Sequence, residues 1–170
     1  MTYWTPLIVD GVAIDLAHLE PFEFQMAPRD WTELATISVR FTDHCFTEAF
    51  DPRHHTAVVV TSQSSPSESR GFAPDRYELS KLLPGILSSL GAKRVASTRE
   101  GNLVYVELAG GARYAVFFTL RRHNPRRAEL FVVSAYPMEE GRRPADTGSM
   151  RFDLALAKVL RGERPKFPAR

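Results

Sequence analysis

The sequence predicts an α+β fold: an N-terminal β-rich segment, one central helix kinked or split at Pro84, a four-stranded antiparallel sheet, and a C-terminal helix. Three observations support this. Between Arg94 and Tyr136 four runs rich in β-branched and aromatic residues are joined by short, Gly- or Pro-containing links, the pattern of an antiparallel meander. Before them, Tyr77, Leu79, Leu82, Leu83, Ile86, Leu87 and Leu90 recur at helical spacing and end at Gly91. After them, Phe152, Leu154, Ala155, Leu156, Val159 and Leu160 form a second helical stripe. Strands and helices that segregate along a chain point to α+β.

In chain order, residues 6–14 (PLIVDGVAI) read as a hairpin around Asp10-Gly11, a favoured type I′ pair. A strand is expected over Phe22–Met26. Over Trp31–Phe41, the residues Ala35, Ile37, Val39 and Phe41 alternate with polar ones, as in a half-buried strand. Ala57–Val60 is a short strand candidate. The Ser-rich segment at about 61–71 is expected to be a mobile loop. Asp75 starts the central helix. The four later strands are placed at Arg94–Thr98, Asn102–Leu108, Arg113–Leu120 and Leu130–Tyr136. Residues 138–149 are polar and contain Gly and Pro, and residues 161–170 are read as a basic tail.

Composition restricts the class. A chain of 170 residues, 44% hydrophobic and 25% charged, is expected to be one domain, 1–170, with a real core. No run approaches the roughly 18 apolar residues that span a bilayer. The N-terminus has no basic region before its apolar residues and carries Asp10 and Asp15, unlike a signal peptide. A single cysteine excludes an internal disulfide and fits a reducing compartment. The expected location is the cytoplasm, with no membrane partner.

The net charge of +2 hides an asymmetry. Residues 1–90 hold 6 Lys+Arg against 12 Asp+Glu, and residues 91–170 hold 16 against 8. A basic, arginine-rich half suggests RNA or another polyanion, or an acidic partner protein. The turn Asn124-Pro125 sits among Arg121, Arg122, His123, Arg126 and Arg127, so the third and fourth strands form a hairpin with a positive tip. On the last strand Ser134 and Tyr136 share one face, opposite Val133 and Ala135. Arg113, Ala115, Phe117 and Thr119 share a face of its neighbour. Such a surface suits phosphate and equally suits an ordinary solvent face.

Other residues offer chemistry. His44 follows a strand end, where an imidazole can pass protons or simply hydrogen-bond the terminus. Cys45 beside it is read as a small buried hydrophobe. His44, Cys45, His54 and His55 match no standard zinc spacing, so no metal and no other cofactor are expected. GxGxxG, GxxxxGK[ST], GxSxG and HExxH do not occur. Arg70, Arg76 and Tyr77 lie just before and at the start of the central helix, with Ser80 one turn on. A basic Arg76 there opposes the helix dipole, as a residue kept for an anion would.

The segments RFTDHCFTEAF, GFAPDRYELSKLLPGIL, NLVYVELAGG, YAVFF and LFVVSAYP, in that order, resemble uncharacterised bacterial and prophage proteins. These are often labelled "heat-shock protein" or "stationary phase growth adaptation protein". The family's HCFT-like, RYxLS-like and LFVxSAY-like motifs fall on His44–Thr47, Arg76–Ser80 and Leu130–Tyr136. The chain departs from it at Val133, where relatives carry an acidic residue, and at Ala73, where a cysteine is common. Helix, four-stranded antiparallel sheet and a final SAY strand also resemble the barnase–EndoU–colicin–RelE class of metal-independent ribonucleases. That resemblance implies RNA cleavage through the 2′-OH. His44 would be the base or acid, Arg76 and Arg121 would stabilise the phosphorane, and Ser134 and Tyr136 would hold the phosphate. Arg70, Tyr77, Ser80, Arg122, His123, Arg126 and Arg127 would support phosphate or nucleic-acid contact. The expected function is a toxin-like ribonuclease or a degenerate relative. The alternative is a non-enzymatic mobile-element protein that binds a host protein or nucleic acid through its basic C-terminal half.

Overall fold

A computed structural model describes residues 3–142 and 146–168. Of the polar 138–149 segment, Arg143, Pro144 and Ala145 lie outside the described residues, as do the last two residues of the basic tail. The hairpin β1 (Leu7–Val9) and β2 (Val12–Ile14) turns at Asp10 and Gly11, whose φ values of 50° and 77° are those a type I′ turn requires. Next come β3 (Phe22–Met26), β4 (Ala35–Phe41) and a 3-10 turn, Asp43–Cys45. The short strands β5 (Thr47–Ala49) and β6 (Arg70–Phe72) pair with each other, and Val59 bridges to Arg70 beside them.

Two short helices follow, α1 (Pro74–Ser80) and α2 (Leu83–Ser88). Pro74 and Pro84 each sit in a first helical turn, where a missing N–H costs nothing. The expected helix is thus two pieces, and Pro84 lies in the first turn of the second. The chain continues through β7 (Arg94–Thr98), β8 (Leu103–Ala109), β9 (Ala112–Asn124), β10 (Arg127–Met138) and β11 (Asp146–Arg151) to α3 (Phe152–Leu160).

The expected four-stranded antiparallel α+β arrangement is incorrect. The chain is mostly β, built on a seven-stranded mixed sheet in the order β11-β7-β8-β9-β10-β4-β3 with two small two-stranded sheets. The β7–β10 meander is its middle. β4 pairs parallel to β10, with Thr36 opposite Arg127 and Phe41 opposite Val132. Partners about ninety residues apart leave no local pattern, so the sequence shows the strands and hides their pairing. β3 and β11 then extend the two edges.

The core lies on one face of this sheet. Ala35, Ile37, Val39 and Phe41 of β4 are fully buried there with Ala128, Leu130 and Val132 of β10. Phe152, Leu156 and Leu160 of α3 and Leu83 and Leu87 of α2 belong to the same core. Val133 is an extra residue: Val132 opposes Phe118, but Ser134 opposes Phe117. This bulge reverses the alternation, so burial passes from even positions to Ala135. The outer face then holds Phe131, Ser134 and Tyr136 on β10, opposite Thr119, Phe117 and Ala115 of β9.

Candidate functional site

The site begins at the end of β4. The chain leaves the sheet after Phe41, and Thr42 ties it to β10 through its amide on the Val132 carbonyl and its hydroxyl on the Val133 carbonyl. The bulge at Val133 therefore anchors the 3-10 turn that carries His44. The Asp43 carboxylate is buried and accepts bonds from the hydroxyls of Thr61 (3.2 Å) and Ser64 (3.3 Å). The Ser-rich segment is fixed to the site at those two points, and its end, Arg70, is buried in β6.

Two arginines converge here. Arg70 donates from Nη2 to the Thr47 carbonyl (2.8 Å), from Nε to the Thr47 hydroxyl (3.1 Å) and from Nη1 to Glu68 (2.7 Å). Arg76 donates from Nη1 to the same Thr47 carbonyl (2.9 Å) and to that of His44 (3.2 Å). Its guanidinium lies over the Tyr136 ring, 5.0 Å from the centroid. Burial and the neighbouring Arg70 push the Arg76 pKa down. Arg70 has Glu68 as counter-ion, whereas Arg76 has no carboxylate in ion-pair range among the described residues.

Arg76 and Tyr136 line a small cleft of about 180 Å³ with Glu48, Ala73, Asp75 and Pro137. Glu48 accepts a bond from His55 Nε2 (3.1 Å). The His55 Nδ1 lies 2.9 Å from the Asp51 amide and 3.0 Å from the Asp51 carbonyl, so both ring nitrogens are engaged. Glu48 escapes sequence reasoning, although its place four residues after His44 in the HCFTEA stretch is the signal that could have found it.

His44 joins the site through its backbone. Its imidazole points to acids instead, with Nε2 3.5 Å from Glu68 and 3.8 Å from Asp43, and it does not line the cleft. Desolvation, aided by Arg70, lowers its pKa, so the ring is neutral near pH 7. Burial pushes the Cys45 thiol up to about 12, which removes it as a nucleophile. Ser134 faces Phe117 outside the cleft. Among the described residues no group of three His, Cys, Asp or Glu is arranged to hold a metal ion.

The remaining candidates lie elsewhere. Tyr77 donates to the Asp15 carbonyl, and buried Ser80 bonds the Tyr77 carbonyl and His18, so both tie α1 to the N-terminal segment. At the hairpin tip Arg127 pairs with Glu23, Arg126 with Glu33 (3.0 Å), and Arg122 caps the Leu160 carbonyl of α3 (3.0 Å). Those three arginines pin the tip to neighbouring elements. Arg121 and His123 are exposed. No helix among the described residues is long and apolar enough to cross a membrane.

A model of the YjaZ family matches residues 6–160, nearly the whole chain, and the protein belongs to that family. It is similar to Protein YjaZ of Escherichia coli (strain K12), 26% identical over 136 residues covering 78% of this chain and 74% of the relative. No solved structure matches.

Proposed function

We propose that this YjaZ-family chain binds RNA without cleaving it, as a degenerate relative of a ribonuclease would, and that Arg76 and Tyr136 form the phosphate contact. The observation that supports the reading is Arg76 itself. It is half-buried, locked by two backbone carbonyls, stacked on an aromatic ring, and has no carboxylate in ion-pair range among the described residues. An arginine held this way is preorganised for an anion, because little further side-chain entropy is lost on binding.

RNA is favoured over other polyanions by what adjoins the cleft. Tyr136 stacks on Phe117 at 5.3 Å, and Phe131 lies on the same sheet face under Arg40 at 5.4 Å. Aromatic rings on an open sheet face, with arginines among them, suit unstacked bases. The paired arginines of the hairpin tip take no part in this reading.

Cleavage is the second reading, and the neutral imidazole of His44 speaks for it. Against it stands the direction of that ring, toward Glu68 and Asp43. Fluorescence anisotropy with a single-stranded RNA oligonucleotide tests binding. Saturable binding that falls about tenfold in Arg76→Ala and several-fold in Tyr136→Leu is expected. Binding unaltered by either substitution overturns the reading. RNA shortened in EDTA by the wild type but not by His44→Ala would establish the ribonuclease instead, and a stoichiometric protein partner with no affinity for RNA the host-protein alternative.

A further inference from the structure

The other end of β9 holds a second site, unrelated to the Arg76 cleft. β8 begins at Leu103, opposite Phe118, while β9 runs on to Asn124. Beyond Phe118 the β9 edge therefore has no strand partner on the β8 side among the described residues. The C-terminal segment returns to this notch. Phe167 packs against the core, and a Cβ on Gly148 of β11 would overlap the Pro168 carbonyl, so the tail lies tightly along the sheet. A depression of about 400 Å³ results.

Its walls differ in chemistry. Leu103, Val159 and Phe167 make an apolar floor, and Thr119, Arg121 and Arg164 stand around it. Neither arginine has a carboxylate partner among the described residues. Glu129, directly across from Arg121 on β10, is already engaged by Arg40 at 2.8 Å. Arg164 precedes Pro165, which favours an extended backbone there. Among the described residues no acidic side chain lines the depression.

We propose that this notch binds an amphipathic monoanion: a short aliphatic body seated on Leu103, Val159 and Phe167, with a carboxylate between Arg121 and Arg164. The volume is within the range of small-molecule sites. Two guanidinium groups supply planar donors matched to a carboxylate, and the apolar floor selects against bare inorganic anions.

Amide NMR titration of the full chain tests it, with octanoate as probe and 1-octanol and inorganic phosphate as controls. Saturable octanoate shifts centred on Thr119, Leu120 and Phe167 are expected, at least about tenfold weaker in Arg121→Ala and in Arg164→Ala, and unchanged in Arg76→Ala. The alcohol and inorganic phosphate should each bind at least about tenfold more weakly. Absent or non-saturable octanoate shifts, equal binding of inorganic phosphate, or indifference to both substitutions overturns the proposal.

Discussion

The guanidinium groups of Arg70 and Arg76 meet on one atom, the carbonyl oxygen of Thr47, at 2.8 and 2.9 Å. Two like charges share one acceptor, and of the two only Arg70 has a carboxylate in ion-pair range among the described residues. Arg76→Ala removes a donor from the carbonyls of both His44 and Thr47. Thr47 keeps the Arg70 bond, and His44 loses its Arg76 partner. The expected cost is about 1–3 kcal/mol, measured by urea unfolding. A loss near zero would mean that water takes over both bonds and that Arg76 is held only by its ring contact.

Behind this cleft the Tyr114 hydroxyl is buried with no hydrogen-bond partner among the described residues. A phenol without a partner suffers the full desolvation penalty. Burial also drives its pKa upward. Tyr114→Phe should therefore leave stability unchanged or raise it by up to about 1 kcal/mol, the reverse of most core substitutions. Calorimetry on the two proteins decides. A clear destabilisation would show that the hydroxyl is bonded in solution.

Gly71 in β6 packs face-on against His55, and a Cβ there would overlap the imidazole. That ring is held by the Asp51 amide and Glu48, so it cannot easily retreat. Gly71→Ala should cost about 1–3 kcal/mol by overpacking. The cause is checked by a double-mutant cycle with His55→Ala. Removing the ring should recover at least about 1 kcal/mol of the Gly71 penalty, because residues in contact are not additive. Additive losses would place the strain in the β6 backbone.

The individual strands of the meander were legible because their apolar alternation is local. Arg94–Thr98 and the hairpin around Asn124-Pro125 needed no distant information. The parallel partner of β10 was not legible, because β4 lies about ninety residues earlier and its alternation fits either direction of pairing. The short β5 and β6 have too few residues for any period. Of the candidate site, Arg76 stood out by opposing the helix dipole, and Tyr136 by its strand position. Glu48 and Asp43 did not, since each is defined by partners, His55 in one case and Thr61 with Ser64 in the other, that only folding brings together. The arginines of the hairpin tip were conspicuous in sequence and are largely paired in the structure, because Glu23 and Glu33 arrive from the distant N-terminal half.

The imidazole of His44 holds its proton less tightly in the fold than the ordinary value of 6.5, first through desolvation and then through Arg70. His18, bonded to Ser80, is shifted the same way by desolvation. Between the ordinary value and the lower folded one, the unfolded chain binds more protons than the native chain. Stability is therefore complete above that window and falls as pH drops through it. The denaturant midpoint should decline from about pH 7.5 to about pH 5, and His44→Gln and His18→Gln should each flatten part of that decline. Glu68 and Asp51, whose carboxyl pKa values are held low by their arginine neighbours Arg70 and Arg53, lose their ion pairs only at lower pH and should leave this range unaffected. A slope that survives both histidine substitutions would assign the acid sensitivity to those carboxylates and leave His44 protonated as readily as in the unfolded chain.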